Sequence, residues 1–582
     1  MVRNLWETLF ISLFILIAPW CFRVKKSMRN QRVPSIKMMV IAVFAAIAVL
    51  FMPIYGRTFD AEPIVMRIFK TILISTHQAI RLFVVDSDFE IIENISGTID
   101  ARLYEFYSSY AALLYVIAPI MSFGVVLSFF KNVSSYRRLL QNYNKNIYVF
   151  SELNERSLML AESLDRNQSA IIFTNVSDQN TLAGSAEQMG AICFKRDINT
   201  MNFRFHNSKK QIEFFAINDK EEQNIWNGLK LIEDYKKTPN SWLYVFSGNP
   251  ESEVLLSNTV TQYMKVRRIN EVKSQIYLVL KNYGKYLFTN AKNIDDDRKV
   301  ISVVIVGMGR YGFEMLKSLT WFCQMLGYKL IITAIDKRGD IKTKLMSQCP
   351  ELVDNEHNNN FTDNGEAQYS INIIQNVDLE NGEFITELKK IKQITYVFLD
   401  VGEDEKNIRS AIYVRSICEK LGFSPEIQAM VRNSEQTETL DGITNYSGQA
   451  YNIEFIGNLK QLYSRGEIID SDLEKEALSR HLKWGIEEDF WKYEYNYSSS
   501  IASALHKRMK IFCNVPGINK PPSERTQNEK LNLRILEHRR WNAYMRSEGY
   551  TYGKEKNNLA KAHPCLVTFC KLNEKEQLKD DE

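Results

Sequence analysis

The 582-residue sequence lacks the motifs that usually reveal a catalytic or metal site. It contains no HExxH, no GxSxG, no Walker-type GxxxxGK[ST] and no CxxC pair. A zinc protease, a serine hydrolase, a P-loop NTPase and a structural zinc site are therefore unsupported. The eight cysteines and seven histidines are dispersed along the chain, which favours free thiols in a reducing compartment. We expect no metal ligands, no catalytic residues and a protein that is not an enzyme.

The chain also lacks a strong charge of either sign. Its 73 basic and 69 acidic residues leave a net charge of +4, so bulk electrostatics gives no reason to expect a nucleic-acid partner. Apolar and charged contents of 45% and 24% are ordinary for globular protein. The length predicts three or four domains, and the first 130 residues are far more apolar than the rest.

Three uncharged runs indicate a transmembrane region over residues 1–140. A hydrocarbon core of about 30 Å needs roughly 20 helical residues, and the runs predict helical spans at about 5–22, 38–55 and 108–130. The first run is short enough to be the apolar part of a signal peptide. The basic segment after it, Arg23 to Arg29, favours a stop-transfer signal instead.

Positive charge in the loops predicts the orientation. The loop 23–37 has six basic residues and no acid, whereas the loop 57–105 has five basic residues against eight acidic ones. The positive-inside rule therefore places the first loop and the C-terminal domains in the cytoplasm and the N-terminus outside. We expect the lipid bilayer of the inner (plasma) membrane to be a partner.

The outer loop contains an amphipathic segment, residues 63–85, in which polar residues recur at three- and four-residue steps. It is either an interfacial helix lying on the outer leaflet or a pore-lining segment, whose candidate residues are Arg67, Lys70 and Arg81. Three spans cannot enclose a pore alone, so conduction would require a homo-oligomer. No TVGYG-like filter supports potassium selectivity.

From about residue 145, short apolar strands alternate with amphipathic helices, the pattern of a doubly wound parallel sheet. A first set, within 145–290, has strands near 147–150, 170–173, 192, 212–217, 242–246 and 276–280. A second set, within 298–460, has strands at 300–306, 330–335, 371–374, 395–399, 427–431 and 453–456. The fold class is therefore a helical membrane region followed by two Rossmann-like α/β domains.

The second set has a phosphate-binding signature. Gly307-Met-Gly309-Arg310-Tyr-Gly312 follows a strand directly and opens a helix, so backbone amides can approach a pyrophosphate at a helix N-terminus. Asp336 ends the next strand, where an acid would accept hydrogen bonds from ribose hydroxyls. The expected cofactor is NAD(H) or another nucleotide, the alternative being a scaffold whose site is empty.

The equivalent turn in the first set, Ser151 to Arg156, has no glycine. Its Cβ atoms and two carboxylates would repel a pyrophosphate, so this half is expected to be structural. One competent half beside one degenerate half resembles the paired NAD-binding domains of the RCK (Trk-type) regulators of potassium conductance. That resemblance covers roughly residues 145–460 and implies a ligand-responsive module beneath a membrane pore.

The last part of the chain, about residues 470–575, carries a further set of motifs. Glu537-His538, Trp541, the turn Gly549-Tyr-Thr-Tyr-Gly553 and His563-Pro-Cys-Leu566 occur in order. This segment resembles the RyR domain, named for the ryanodine receptor repeats, and the resemblance implies a small, mostly helical domain. The ligand candidates, aromatic rings for a base and cations for phosphate, are Arg540, Trp541, Arg546, Tyr550, Tyr552 and Lys554. Trp541 and its helical neighbours could equally be core residues.

The combined pattern predicts a nucleotide-gated membrane effector or ion channel that senses a nucleotide-derived small molecule. The resemblance of the C-terminal segment extends this to a role in antiviral defence. Two alternatives share the nucleotide site: a regulatory subunit of a potassium channel or transporter, and a membrane-tethered NAD-dependent oxidoreductase. The oxidoreductase would require an acid or base beside the nicotinamide.

Overall fold

The computed structural model describes residues 2–18, 24–25, 32–33, 36–84, 86, 89–203, 209–257, 261–295, 298–353, 369–440 and 451–580. The chain forms two compact units, Met1–Arg138 and Leu139–Glu582, which are considered separately. Residues 19–22 of the first predicted span, much of the basic loop after it and Val85 lie outside the described residues. The seven cysteines within the described residues are free thiols, as expected.

The N-terminal unit is helical. Its helices and two short antiparallel strands are Val2–Ile17, β1 (Val24–Lys25), β2 (Arg32–Val33), Ile36–Thr58, Ile64–Phe83, Glu90–Glu93 and Ala101–Gln141. Among the described residues, one helix, Met39–Thr58, is apolar and long enough to cross a membrane, and Leu5–Ile17 is a shorter apolar helix. Tyr107 donates a hydrogen bond to the carbonyl of Leu50, and Ser12 Oγ donates one of 2.7 Å to the carbonyl of Ala46. The membrane roles of the first and third predicted spans stay predictions.

The helix Ile64–Phe83 buries its polar side and exposes its apolar side. Thr71, Ser75 and Gln78 are almost fully buried. Eight apolar side chains of the same segment are between 47% and 81% exposed: Ile64, Val65, Met66, Ile68, Phe69, Ile72, Leu73 and Ile80. This is the reverse of a helix on a water-soluble protein, where the apolar stripe faces the core.

The first parallel sheet begins the second unit. Its strands are β3 (Asn146–Phe150), β4 (Ser169–Phe173), β5 (Ile192–Cys193), β6 (Ile212–Ala216), β7 (Ser241–Phe246) and β8 (Lys265–Ile269). They lie in the order β5-β4-β3-β6-β7-β8, all parallel. The helices between and after them are Glu155–Glu162, Ala183–Gln188, Glu221–Tyr235, Pro250–Ser257, Glu271–Tyr283 and Lys285–Thr289.

One strand of this sheet was predicted wrongly. Residues 276–280 belong to the helix Glu271–Tyr283, and the sixth strand is β8. The apolar pattern missed β8 because three of its five residues are charged. Each of these charges is matched from the C-terminal segment: Lys265 pairs with Glu487 at 2.8 Å, Arg267 with Glu474 at 2.7 Å and Arg268 with Glu494 at 3.2 Å.

The second sheet has the same winding. Its strands are β9 (Lys292–Asp295), β10 (Arg298–Val306), β11 (Tyr328–Ile335), β12 (Tyr369–Ile374), β13 (Tyr396–Leu399), β14 (Glu426–Met430) and β15 (Ile453–Ile456). The parallel strands lie in the order β12-β11-β10-β13-β14-β15, and β9 pairs antiparallel with β10. Both sheets thus have the strand order 3-2-1-4-5-6 of a doubly wound Rossmann-type sheet, which confirms the predicted α/β fold. The helices are Arg310–Phe322, Ile341–Gln348, Pro350–Val353, Gly382–Lys390, Asp404–Lys420, Ser434–Leu440, Leu459–Leu462 and Arg465–Ile468.

The C-terminal segment is mainly helical. It contains the helices Asp472–His481, Glu487–Lys492, Glu494–Phe512, Gln527–Ser547 and Glu574–Gln577 and two paired short strands, β16 (Thr551–Tyr552) and β17 (Ala562–His563). Most of its buried apolar residues belong to the same hydrophobic core as the second sheet. Tyr544 packs edge-on against Trp321 with ring centroids 6.1 Å apart.

Candidate nucleotide-binding site

The turn after β10 requires glycine at two of its three glycine positions. Gly307 has φ = +90°, and a Cβ atom there would overlap the carbonyl oxygen of Asp400. A Cβ atom at Gly312 would overlap the carbonyl oxygen of Gly307. Gly309 differs, because its φ of −69° is ordinary and a Cβ atom would lie 3.5 Å from the nearest atom, Asp400 Oδ2. Gly307 and Gly312 are therefore required by the backbone of the turn, whereas at Gly309 a Cβ atom would be in ordinary van der Waals contact with Asp400.

The helix Arg310–Phe322 begins after Gly309 without a side-chain cap. Its N-cap residue is Gly309, which offers no acceptor to the first-turn amides. The first four amides of a helix have no partner within it, and the helix dipole favours an anion beside them. Arg310, exposed at the first helical position, adds positive charge. The turn therefore provides amide donors and a favourable potential for a phosphate group.

Asp336 follows the end of β11 and is joined to the glycine turn. Its Oδ2 accepts a hydrogen bond of 2.6 Å from the amide of Met308, and its Oδ1 accepts one of 3.0 Å from Arg338 Nε. Burial would raise the pKa of Asp336, but the hydrogen bonds from Arg338 and Met308 outweigh burial and hold the pKa below its usual range. Asp336 is thus an ionised acceptor at the position where a ribose diol lies in dinucleotide-binding sheets.

Three further polar groups reach the same crevice and were not predicted from the sequence. Asp400 follows β13, Arg432 follows β14, and Arg338 follows Asp336; the Arg338 guanidinium also donates to the carbonyl of Met308. Burial raises the pKa of Asp400. Arg432 pairs with Asp404 at 3.1 Å. The carboxyl ends of neighbouring parallel strands meet at one edge, so polar residues that directly follow predicted strands were the available signal.

The equivalent turn of the first sheet is filled by its own side chains. Asn154 caps the helix Glu155–Glu162, accepting from the amide of Ser157 at 2.9 Å, while Ser157 Oγ accepts from the amide of Asn154. Ser151 Oγ donates to Asn218 at 2.5 Å. Two amides of this turn, those of Asn154 and Ser157, are thus already bonded to side chains. The structural role of this half stays a prediction.

The two halves are linked through one carboxylate. Glu271, the first residue of the helix Glu271–Tyr283, accepts a hydrogen bond of 2.6 Å from Arg156 Nε and another from the hydroxyl of Tyr463. Its Oε1 lies 3.5 Å from the hydroxyl of Tyr311. Tyr311 lies inside the glycine turn and Arg156 inside the equivalent turn of the first sheet. Contacts therefore run from the candidate nucleotide site to the degenerate half.

The C-terminal ligand candidates are separated by the fold. Arg546 pairs with Glu351 at 2.6 Å, and Tyr550 is buried in the core. Tyr552 and Lys554 are exposed. Arg540 and Trp541, by contrast, both line a cavity of about 900 Å³ within the C-terminal segment. Their roles as ligand-binding residues stay predictions.

The pore candidates each have an acidic or carbonyl partner. Arg67 pairs with Asp60 and donates 2.9 Å to the carbonyl of Gly56. Lys70 pairs with Glu62 at 2.5 Å. Arg81 lies 3.5 Å from the carboxylate of Asp86. A pore-lining role for the three basic residues stays a prediction. Within the described residues, no cluster of potential metal ligands occurs.

Comparison with known proteins identifies no family. No family model and no curated protein matches the chain. Among solved structures, GsuK bound to ADP is 15% identical over 73% of this chain and 96% of its own, with a TM-score of 0.33. The GsuK channel bound to NAD is 12% identical over 74% and 84%, also with a TM-score of 0.33. A dipicolinate synthase chain from Bacillus halodurans is 9% identical over 65% and 98%, with a TM-score of 0.21. The class of the fold, a pair of Rossmann-type sheets, therefore rests on the strand order described above.

Proposed function

We propose that the chain is a membrane-held regulator that binds NAD(H) or another nucleotide at the Gly307–Gly312 turn. The observation that carries this proposal is the contrast between the two helix N-termini. The helix after β3 is capped by Asn154, whereas the helix after β10 begins at Gly309 with no side-chain cap and no side chain of its own at that position. Amides left without an internal acceptor suit a phosphate group.

The residues present fit a dinucleotide. Gly309 would allow the pyrophosphate to approach the amides of the helix Arg310–Phe322, and Asp336 would accept hydrogen bonds from ribose hydroxyls. A ribose would have to share Asp336 with Arg338, which now donates to both of its oxygens. In an enzyme, a bound nicotinamide dinucleotide would donate or accept a hydride. In a regulator, its presence or absence would instead determine the conformation of the protein.

Regulation is favoured over catalysis by the contacts that leave the site. Tyr311 is part of the turn that would hold the ligand, and it reaches Glu271 and, through it, Arg156 of the first half. A ligand that shifts the helix Arg310–Phe322 would therefore change the contacts of residues outside the site. A ligand acts as a switch only if it binds one arrangement of these groups better than another.

The membrane part of the proposal is supported by the N-terminal unit. Met39–Thr58 has the length and hydropathy of a membrane span, and the helix Ile64–Phe83 presents isoleucines outward and buries Ser75 and Gln78. Lipid tails remove from water the apolar surface that this arrangement exposes. The proposal places the two sheets in the cytoplasm and the spans in the inner membrane. In its more specific form, the protein is a membrane effector or ion channel that acts in antiviral defence.

Calorimetry on the full chain in detergent tests the nucleotide site. NAD, NADH and ADP are titrated into the wild type, into Gly309→Val and into Gly382→Val. Gly382 is the matched control, because it opens another helix of the same sheet and a Cβ atom there meets nothing within 4 Å. We expect binding to be lost in Gly309→Val and kept in Gly382→Val. Equal binding in all three proteins would contradict the proposal.

Reconstitution separates the remaining alternatives. Proteoliposomes loaded with potassium or a fluorescent dye are exposed to the nucleotide that calorimetry identifies. Release of both potassium and dye supports an effector that opens the membrane widely, and potassium flux alone supports a channel or part of one. Turnover of NADH against a panel of carbonyl substrates would instead support the oxidoreductase.

A further inference from the structure

A cavity of about 900 Å³ lies within the C-terminal segment, away from the glycine turn in sequence. Its walls come from residues between Arg480 and Asp580, including the helices Glu494–Phe512 and Gln527–Ser547. The volume falls within the range of pockets that hold small organic ligands, about 300–1,000 Å³. The cavity is thus large enough for a nucleotide-sized molecule.

The walls of this cavity are strongly basic. Nine lysines and arginines line it against three acidic residues, Glu537, Glu576 and Asp580. Each acid already has a partner: Glu537 pairs with Arg540 and Lys510, both at 2.9 Å, Glu576 with Lys579 at 2.7 Å, and Asp580 with His538 at 3.1 Å. The excess positive charge is therefore not neutralised by the acids of the cavity.

Several donors in the wall still have bonding capacity. Arg540 is 2% exposed, and its Nη1 has no hydrogen-bond partner among the described residues. Lys530 and Lys575 take part in no salt bridge within residues 451–580, and they stand on different helices. A buried donor group without an acceptor costs free energy. An anion in the cavity would supply the acceptor.

Aromatic rings complete the wall. Trp541 packs edge-on against His563 with centroids 4.9 Å apart, and Trp484 is 55% exposed. Lys556 Nζ lies 5.0 Å from the centroid of the Tyr495 ring. Burial and the neighbouring cation of Lys556 lower the pKa of His563 to about 4, so its ring is neutral near pH 7. Flat, neutral ring faces suit stacking with a planar group.

We propose that this cavity is a second ligand site, which binds a small molecule carrying at least two phosphate groups and a planar ring. The phosphates lie against the cations, and the ring packs against Trp541 or Tyr495. The helix Gln527–Ser547 bears both Arg540 and Tyr544, and Tyr544 contacts Trp321 of the glycine-turn helix. A ligand in the cavity can therefore affect the position of the glycine-turn helix at the first nucleotide site.

Binding is tested on the full chain carrying Gly309→Val, so that the glycine turn does not contribute. Isothermal titration with ADP, pyrophosphate and adenosine is performed in this background and after adding Lys575→Glu, Lys530→Glu or the control Lys571→Glu. Lys571 is exposed and close to Lys575 in sequence but does not line the cavity. Thermal unfolding checks that each variant is folded.

We expect ADP to bind with a stoichiometry of one, more tightly than pyrophosphate or adenosine. Reversing the charge of Lys575 or Lys530 should weaken ADP binding on the order of tenfold, since a unit charge beside a phosphate contributes about 1 kcal/mol or more. Lys571→Glu should change it less than about twofold. No ADP binding to the Gly309→Val chain, adenosine binding as tight as that of ADP, or equal losses in all three charge variants would overturn the proposal. A different result would contradict only the proposed nucleotide site at the glycine turn. In that case the wild type would bind a single ADP, and Gly309→Val would bind it equally well.

Discussion

Arg156 and Glu271 form a hydrogen-bonded ion pair, with Arg156 Nε 2.6 Å from Glu271 Oε2. The pair joins the turn of the degenerate sheet to the helix Glu271–Tyr283, which packs against the glycine-turn helix Arg310–Phe322. Glu271 also meets Tyr311, so one carboxylate contacts both equivalent turns. A pair of Rossmann-type sheets is thereby held together at the place where a ligand would act.

Glu271→Gln should weaken the communication between the halves and leave nucleotide affinity within about twofold of the wild type. The amide keeps one acceptor oxygen, replaces the other with a donor NH2 group and removes the charge that Arg156 faces, which costs about 1 kcal/mol of stability. Hydrogen–deuterium exchange over residues 151–162 measures the effect. We expect NAD to change exchange there in the wild type and not in the variant. A ligand response that is equal in both proteins would show that another route connects the halves.

Asp400→Asn should strengthen nucleotide binding. The Asp400 carboxylate faces the space in front of Gly309, where its charge opposes that of a phosphate. Its replacement by a neutral amide removes about 1 kcal/mol of repulsion, or roughly a three- to tenfold change in Kd. Calorimetry with NAD measures the change. Glu380→Gln, at an exposed position in the turn between β12 and the helix Gly382–Lys390, is the control and should have no effect. Weaker binding in Asp400→Asn would mean that Asp400 contacts the ligand as an acceptor.

Glu213→Gln should stabilise the protein at alkaline pH. Glu213 lies on the central strand β6 and is 1% exposed; burial raises its pKa to about 8. A glutamate carboxyl group in an unfolded chain has a pKa of about 4.3. The folded state therefore holds this proton more tightly, so the wild type loses stability as the pH rises from about 5 through 8.

The glutamine variant lacks this titration. We expect its unfolding midpoint to match that of the wild type within about 1 °C near pH 5 and to exceed it by about 2–4 °C near pH 9. Differential scanning calorimetry across this range measures both midpoints. Parallel pH profiles for the two proteins would show that Glu213 does not titrate between pH 5 and 9.

Ile68→Cys should be shielded from a water-soluble maleimide when the protein is in a bilayer. Ile68 is 54% exposed on the apolar side of the helix Ile64–Phe83, and lipid contact would keep both water and the reagent away. Ser96→Cys, exposed in a short 3-10 turn of the same unit, is the control. After the labelling of the parent chain is subtracted, we expect Ile68→Cys to be labelled at least fivefold less than Ser96→Cys. Equal labelling of the two cysteines would place this helix face in water.

The sequence by itself determined the local features of this protein. Eleven of the twelve parallel strands, the glycine turn and Asp336 were predictable, because apolar periodicity and a strand–turn–helix pattern depend on neighbours along the chain. The strand β8 was not predictable, because the partners of Arg267 and Arg268 lie more than 200 residues away. The side chains of Arg267 and Arg268 are nearly buried in the fold, whereas a charged run in a sequence is usually solvent-exposed.

Only the tertiary structure decided which polar side chains meet. Asp400, Arg338 and Arg432 converge on the glycine turn because the strand order places the ends of β11, β13 and β14 at one edge. Likewise, Arg540 and Trp541 line a common cavity, whereas Arg546 forms a salt bridge with Glu351. The outward apolar side of the helix Ile64–Phe83 also depends on packing. Periodicity shows that a helix has two faces, but which face is buried depends on contacts between segments far apart in the chain.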